Sequence, residues 1–262
     1  CWVALALVLV ILISPLLIVI PTAFTETTQI RFPPVGFTGK WFHEVVTSPI
    51  WIDSFLKSIR VGLATAVCAT ACGLALARVG TRITSAFWRS VIQIVAIMPL
   101  IVPVILLGIG VYDVQLRLGL VGTDFGLILA HTVLSLPLTF LVMANALSAI
   151  DISVEQAGWT MGASRTRAFW TIVVPSLVPA LVGALVICFV TSWDEAVLAM
   201  FQTELSKTLP VTIYSFLKSG ITPAVSAVAT IVTVPVIVGY LLYAIRMLVR
   251  RPKTSIEEQH HA

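Results

Sequence analysis

The chain has 262 residues, 58% of them hydrophobic and 11% charged, with a net charge of +4 and a mean hydropathy of +1.04. A soluble domain carries about 25% charged residues, so a soluble enzyme or binding domain is excluded. No basic run is long enough for nucleic-acid binding. The apolar excess recurs along the chain, which indicates a polytopic, all-α membrane protein rather than one anchor.

A membrane helix needs about 20 mostly apolar residues, and six stretches qualify. The first is 2–20, with no small-residue cleavage site clearly placed after it. It reads as a membrane helix, not a removed signal peptide. Because the chain starts at Cys1 rather than Met, residues are expected to precede it. A polar, Pro-containing segment covers 21–54. The second span is 55–77, with Lys57 and Arg60 near its start, placed to snorkel toward headgroups. The remaining spans are 90–111, 125–147, 177–201 and 223–245. Together they form one membrane domain over 1–249, followed by a tail, 250–262, that lacks a core pattern.

Lys and Arg in the loops set the orientation. Segments 78–89, 148–174 and 246–262 carry nine of them, and the opposite set, 21–54, 112–124 and 202–222, carries five. The first set, and with it both termini, is therefore expected in the cytoplasm. Pro15, Pro99, Pro103, Pro137, Pro179 and Pro235 predict kinks. Gly62, Gly73, Gly108, Gly110, Gly183 and Gly239 predict close helix packing. Cys1, Cys68, Cys72 and Cys188 lie in apolar stretches and lack the polar partners of a metal site.

Segment 148–174 is too polar to span and periodic enough to be helical. Ser153, with Gln156 three residues on, predicts a capping box. Gly162 is placed to end that helix at positive φ. Ser164 starts a second short helix, with Ala168, Phe169 and Ile172 near one side, and Pro175 marks entry into the fifth span. Two short helices joined at Gly162 would lie under the bundle. Composition leaves two readings open, a docking surface and an unpartnered interfacial connection.

The segment resembles the EAA loop of the membrane subunits of bacterial type I ABC importers. The family pattern is matched by Glu155-Gln156-Ala157, Gly162, Phe169, Pro175 and Pro179, with Gln156 a departure at the central Ala. The resemblance continues through Phe189, Ser192, Asp194 and Glu195, then Thr208-Leu209-Pro210-Val211, Ile213-Tyr214 and Thr222-Pro223. Phe32-Pro33-Pro34 with Trp41-Phe42 resembles the first external loop of the spermidine/putrescine permease subfamily, its PotC-like half.

The resemblance implies a six-helix importer transmembrane domain with coupling helices. It implies two ATPase subunits, a second and non-identical permease subunit, a periplasmic solute-binding protein and membrane lipid as partners. ATP and Mg2+ would belong to the ATPase, with no cofactor or metal in this chain. ATP binding would close the ATPases, tilt the docked helices and open the cavity outward. Glu155 would interact with the ATPase surface, Ala157 would belong to the same motif, Gly162 would make the turn, and Ala163 and Ser164 would lie in the coupling contact. Arg165 and Arg167 would meet acidic ATPase residues or lipid phosphates. Independently of the resemblance, the chain has no G-x-x-x-x-G-K-[ST] run to cradle phosphates, so it is not expected to hydrolyse ATP.

Asp194 and Glu195 fall in the outer part of the fifth expected span, where an ionised acid facing lipid costs roughly 2.5–3.5 kcal/mol. Three readings fit: contact with a cationic solute, a place at the membrane interface, or pairing with Lys57 or Arg60. Such acids suit a polyamine, but importers of the resembled type leave recognition largely to the binding protein, so the acids do not fix the cargo, and opines and other organic amines stay open. Ser192 and Asn145 are further pathway candidates; for Asn145, as for His131 and Gln93, interhelical hydrogen bonds are the plainer expectation. Two rival functions remain. A secondary transporter or channel needs charge pairs in its spans and perhaps a repeat. An intramembrane serine protease needs a Ser and a His within about 3 Å of each other at membrane depth, and His131 is the one His within a span.

Overall fold

The computed structural model describes residues 2–202, 207–220 and 222–249. The tail expected over 250–262 lies outside the described residues. In chain order the helices are α1 (Trp2–Thr22), α2 (Lys40–Thr47), α3 (Pro49–Arg82), α4 (Ala86–Ile101), α5 (Val104–Arg117), α6 (Asp124–Ser148), α7 (Ile152–Thr160) and α8 (Arg165–Ala168). A wide turn with π geometry, Phe169–Val173, leads into α9 (Val174–Asp194). Then come α10 (Val197–Gln202), α11 (Leu209–Ser219) and α12 (Pro223–Val249). No strand occurs among the described residues.

The helices divide into two compact units. In the first, formed by the two chain ends, α12 packs against α1 and α2. The Thr22 hydroxyl donates to Ser226 Oγ at 3.1 Å, and Trp41 Nε1 donates to the Thr25 carbonyl at 2.8 Å. Helix α2 lies in the stretch expected to be an irregular polar connection, and α11 lies in the expected loop 202–222. Both are too short to span and are amphipathic, so a search for 20-residue apolar runs passes over them.

The second unit, Pro49–Ser215, is built on α3, α6 and α9. Small residues let these helices approach. A Cβ added at Gly73 would lie 2.7 Å from Thr139 Cβ and 2.8 Å from its carbonyl carbon. The Thr139 hydroxyl donates across the same seam to the Ala69 carbonyl at 2.9 Å. Gly62 likewise faces Phe189, and Gly108 faces Phe201, as the packing expectation required. At Gly110, Gly183 and Gly239 a Cβ would meet nothing within 4 Å, so these three do not mark helix contacts within the described chain. Buried Ala77, Phe140, Met143, Leu147, Val173 and Leu177 fill the unit's main apolar cluster.

Among the described residues, four helices are long and apolar enough to cross a membrane: α3, α6, the continuous helix Arg165–Asp194, and α12. The third expected span, 90–111, is broken. Helices α4 and α5 meet at a 109° bend, because Pro103 forces Val102 out of helical geometry into an extended φ/ψ of −76°/130°. The fifth span also differs from expectation. It begins far earlier, at Arg165, and stops at Asp194, where Glu195 turns extended. Pro175 does not open a new helix. Its missing N–H and its ring, which crowds the carbonyl four residues back, are accommodated by the wide turn Phe169–Val173. The second loop helix is thus one piece with the span above it.

Candidate functional site

Helix α7 is capped by Asp151, whose carboxylate accepts from the Ser153 amide at 2.8 Å. The Ser153–Gln156 capping box is therefore corrected: Ser153 is inside the helix, and the acid two residues earlier takes the cap. Those hydrogen bonds hold the Asp151 carboxyl below the usual aspartate range.

The helix ends as Gly162 predicts. Gly162 sits at φ +89°, its amide donates to the Trp159 carbonyl, and the Ala163 amide donates to the Gly158 carbonyl, both at 3.0 Å. This pair of bonds is the Schellman closure. Ser164 caps α8, accepting from the Arg167 amide at 3.2 Å. The turn leaves Ala157, Met161, Gly162, Ser164, Arg165 and Arg167 exposed, with Ala163 half-buried.

Glu155 points the other way. Its side chain is 3% exposed and lies between Arg78 Nη2 at 2.5 Å and Arg82 Nη2, both from the last turns of α3. Within this chain the carboxylate expected to interact with the ATPase surface is engaged by two arginines. Both oxygens are taken by arginines of this chain, and an unpaired buried carboxylate would be costly. The two guanidinium groups also face aromatic rings of the loop segment: Arg78 lies 4.6 Å from the Phe169 ring and Arg82 5.7 Å from Trp159. Arg165 approaches Trp159 at 5.2 Å. Gly158 lets α7 settle onto the wide turn, since a Cβ there would lie 2.7 Å from Ile172 Cδ1. Beside this junction is a cavity of about 420 Å³ lined by Arg78, Arg82, Arg89, Gln93, Asp151 and Glu155 among others.

Sequence reasoning missed Arg78, Arg82 and Gly158 as parts of the site. The available signal was the i, i+4 spacing of the two arginines, which puts them on one face of α3. In the loop-charge balance the two arginines register only as loop charges.

The candidate pathway residues do not converge. Asp194 is exposed at the end of α9, and half-buried Glu195 accepts from the Leu198 amide at 2.9 Å, capping the first turn of α10. Ser192 is buried and within 2.7 Å of His131 Nδ1 on α6. Asn145 is exposed on α6, fourteen residues and about 21 Å along that helix from His131. It belongs to the loop end, and the other three belong to the far end. Lys57 and Arg60 both reach Asp124, at 3.2 and 3.9 Å.

The His131–Ser192 pair meets the distance a hydrolase needs. Both residues are buried, however, and no side chain orients the ring from its other nitrogen, since Nε2 has no partner. It is an interhelical hydrogen bond. Cys68 and Cys72 are exposed free thiols and Cys188 is buried. Among the described residues, no group of three His, Cys, Asp or Glu could hold a metal.

A helical membrane chain with a two-helix loop anchored to its bundle has the architecture of a transporter's membrane subunit. The chain belongs to the family of the binding-protein-dependent transport system inner membrane component, whose model matches residues 69–251. Among curated relatives, the putrescine transport system permease protein PotI of Escherichia coli (strain K12) is 24% identical, covering 96% of this chain and 91% of PotI. The spermidine/putrescine transport system permease protein PotC of the same strain is 27% identical, covering 92% and 90%. The trehalose transport system permease protein SugB of Mycobacterium tuberculosis is also 27% identical, covering 87% and 84%. Among solved structures, a bacterial ABC transporter that imports alginate matches with TM-score 0.69 at 18% identity, over 92% of this chain and 93% of that one. The MetNI methionine ABC transporter matches with TM-score 0.58 at 19% identity, over 77% and 95%. The fold is that of a type I ABC importer transmembrane subunit. The chain is a non-catalytic membrane subunit of a binding-protein-dependent importer, and ATP hydrolysis resides in a separate chain.

Proposed function

We propose that this subunit imports a small organic amine of the polyamine class. Two ATPase subunits would dock below, one on the 148–174 loop of this chain and one on that of a second, non-identical permease. A periplasmic binding protein would deliver the solute. Six spans with both termini in the cytoplasm complete the reading, supported by the excess of Lys and Arg in the loop-end segments. ATP and Mg2+ would act in the ATPase chains.

The observation that carries the docking reading is the closed turn at Gly162. It holds Ala157, Ala163, Ser164 and Arg165 on a rigid two-helix element while Glu155 fixes that element from within. The polyamine reading rests on the names of two relatives and on the acids at the far end of α9. Of these, Asp194 is open to a passing cation, while Ser192 and Glu195 line the same end.

The test is extraction in mild detergent without crosslinking, followed by identification of every copurifying chain. The reading predicts an ATPase and a second permease with the unmutated protein. In a Gly162→Pro variant, whose ring cannot adopt the +89° φ of the turn, it predicts loss of the ATPase while the permease pair survives. The copurified complex, reconstituted with its binding protein, should accumulate putrescine or spermidine in preference to trehalose. Transport that persists without any ATPase chain would sink the reading in favour of a secondary carrier.

A further inference from the structure

We infer that Arg78 and Arg82 are positioning residues: they clasp the 148–174 loop to α3, so that a docked ATPase drives three helices rather than the two the loop joins covalently. The inference rests on the docking reading above.

The loop is continuous with α6 at one end and with α9 at the other, so motion of the loop reaches those two through the backbone. Nothing covalent ties it to α3. The tie is the Glu155 carboxylate, which engages Arg78 at 2.5 Å and also Arg82, one turn further along α3. Each arginine makes a second contact with the loop segment, Arg78 with Phe169 in the wide turn and Arg82 with Trp159 in α7. The clasp therefore grips both halves of the loop. Arg165, exposed on the outer side, reaches Trp159 as well. A path of direct contacts then runs from an exposed loop residue, Arg165, through Trp159 and Arg82 to α3.

The clasp is stiff where it joins α3. Five residues before Arg78, Gly73 seats α3 against Thr139 of α6 with no room for a methyl group. Helix α3 also packs on α9. Displacing the end of α3 therefore carries its neighbours with it, because close-packed interfaces shift between discrete arrangements rather than deform. The chemistry suits this use. A planar guanidinium holds a carboxylate and an aromatic face at once, which a lysine ammonium does not.

The test uses the assembled complex in proteoliposomes, with three variants: Arg78→Ala with Arg82→Ala, Arg78→Lys with Arg82→Lys, and Glu155→Gln. Solute imported per ATP hydrolysed is measured beside the amount of ATPase chain retained. The double alanine variant is expected to keep its ATPase chains within about twofold while the ratio falls at least tenfold. The lysine variant should fall less, since charge remains without the planar fork. If the alanine variant does not accumulate, Glu155→Gln, which keeps the side chain's shape, carries the same expectation. A ratio within twofold of the unmutated complex overturns the clasp. So does loss of the ATPase from these variants, which would make the residues part of the docking contact itself. Absence of ATPase from the unmutated complex is a separate result and defeats the docking reading on which the clasp stands.

Discussion

Lys57, buried on α3, and Asp124, the first residue of α6, meet at 3.2 Å. Arg60 approaches the same carboxylate. The pair ties the far ends of two central helices, as the Glu155 arginines tie α3 to the loop at the other end. Asp124 is 45% exposed, so the pair contributes less than the about 3–5 kcal/mol lost when a fully buried pair is broken. Asp124→Asn is expected to cost roughly 1–2 kcal/mol and to lower the unfolding temperature in detergent. Asp124→Lys should lower it further. Equal midpoints for all three proteins would show that the pair contributes nothing.

Gly73 and Gly158 both admit a close neighbour, and they are expected to behave differently. At Gly73 the obstacle includes the Thr139 backbone; at Gly158 it is chiefly the tip of the Ile172 side chain. Gly73→Ala should destabilise the bundle by about 1–3 kcal/mol, and Thr139→Ala should not restore it. Gly158→Ala should cost about 1 kcal/mol or less, and Ile172→Val, which removes the colliding methyl, should restore it. Thermal unfolding of the four variants decides between the two patterns.

Gly162 has open space around it and a φ of +89°. Substitution there tests backbone conformation alone. Gly162→Ala should cost about 1–2 kcal/mol, and Gly162→Asn less, because Asn tolerates that region. Gly162→Val should cost most. The expected order of ATPase retention on purification is Gly, Asn, Ala, Val. An order that follows side-chain volume regardless of φ preference would contradict the turn assignment.

Asp151 caps α7 as a carboxylate held below its ordinary range by the Ser153 hydrogen bonds. A depressed acid contributes stability above its unfolded value and loses it as pH falls through the folded one. The cap is therefore expected to hold at neutral pH and to weaken only below about pH 4. Hydrogen exchange at the start of α7 should be faster in Asp151→Ala than in Asp151→Asn at pH 6, since Asn still accepts the bond. Equal protection in the two variants would rule out the side-chain cap.

What the sequence reveals and what it hides follow from the range of the interactions. Unbroken spans such as α6 and α12 are legible because every residue in them is apolar for the same solvent reason. The Gly162 turn is legible because it is local. The bend at Val102-Pro103 carries a signal, yet a proline in a membrane helix usually kinks it rather than breaking it, so its size of 109° does not follow from sequence. The Glu155 pairing is hidden in the sequence because its arginines lie 77 and 73 residues earlier. No local pattern joins them. Asp124 was missed as the partner of Lys57 for the same reason: it sits just outside an apolar run and was read as loop. Asp194 and Glu195 were read as span residues because α9 and α10 form one apolar stretch, and the break at Glu195 is a capping event rather than a change in hydropathy.

The most direct measurement of the central claim is site-specific photocrosslinking in native membranes. The crosslinker is placed at Met161, 81% exposed on the loop, and for comparison at Val182, 54% exposed on α9. The account predicts that the Met161 position captures an ATPase chain and that Val182 does not. An ATPase captured from neither position, with uptake continuing after ATP is depleted and the ion gradient is held, would contradict it.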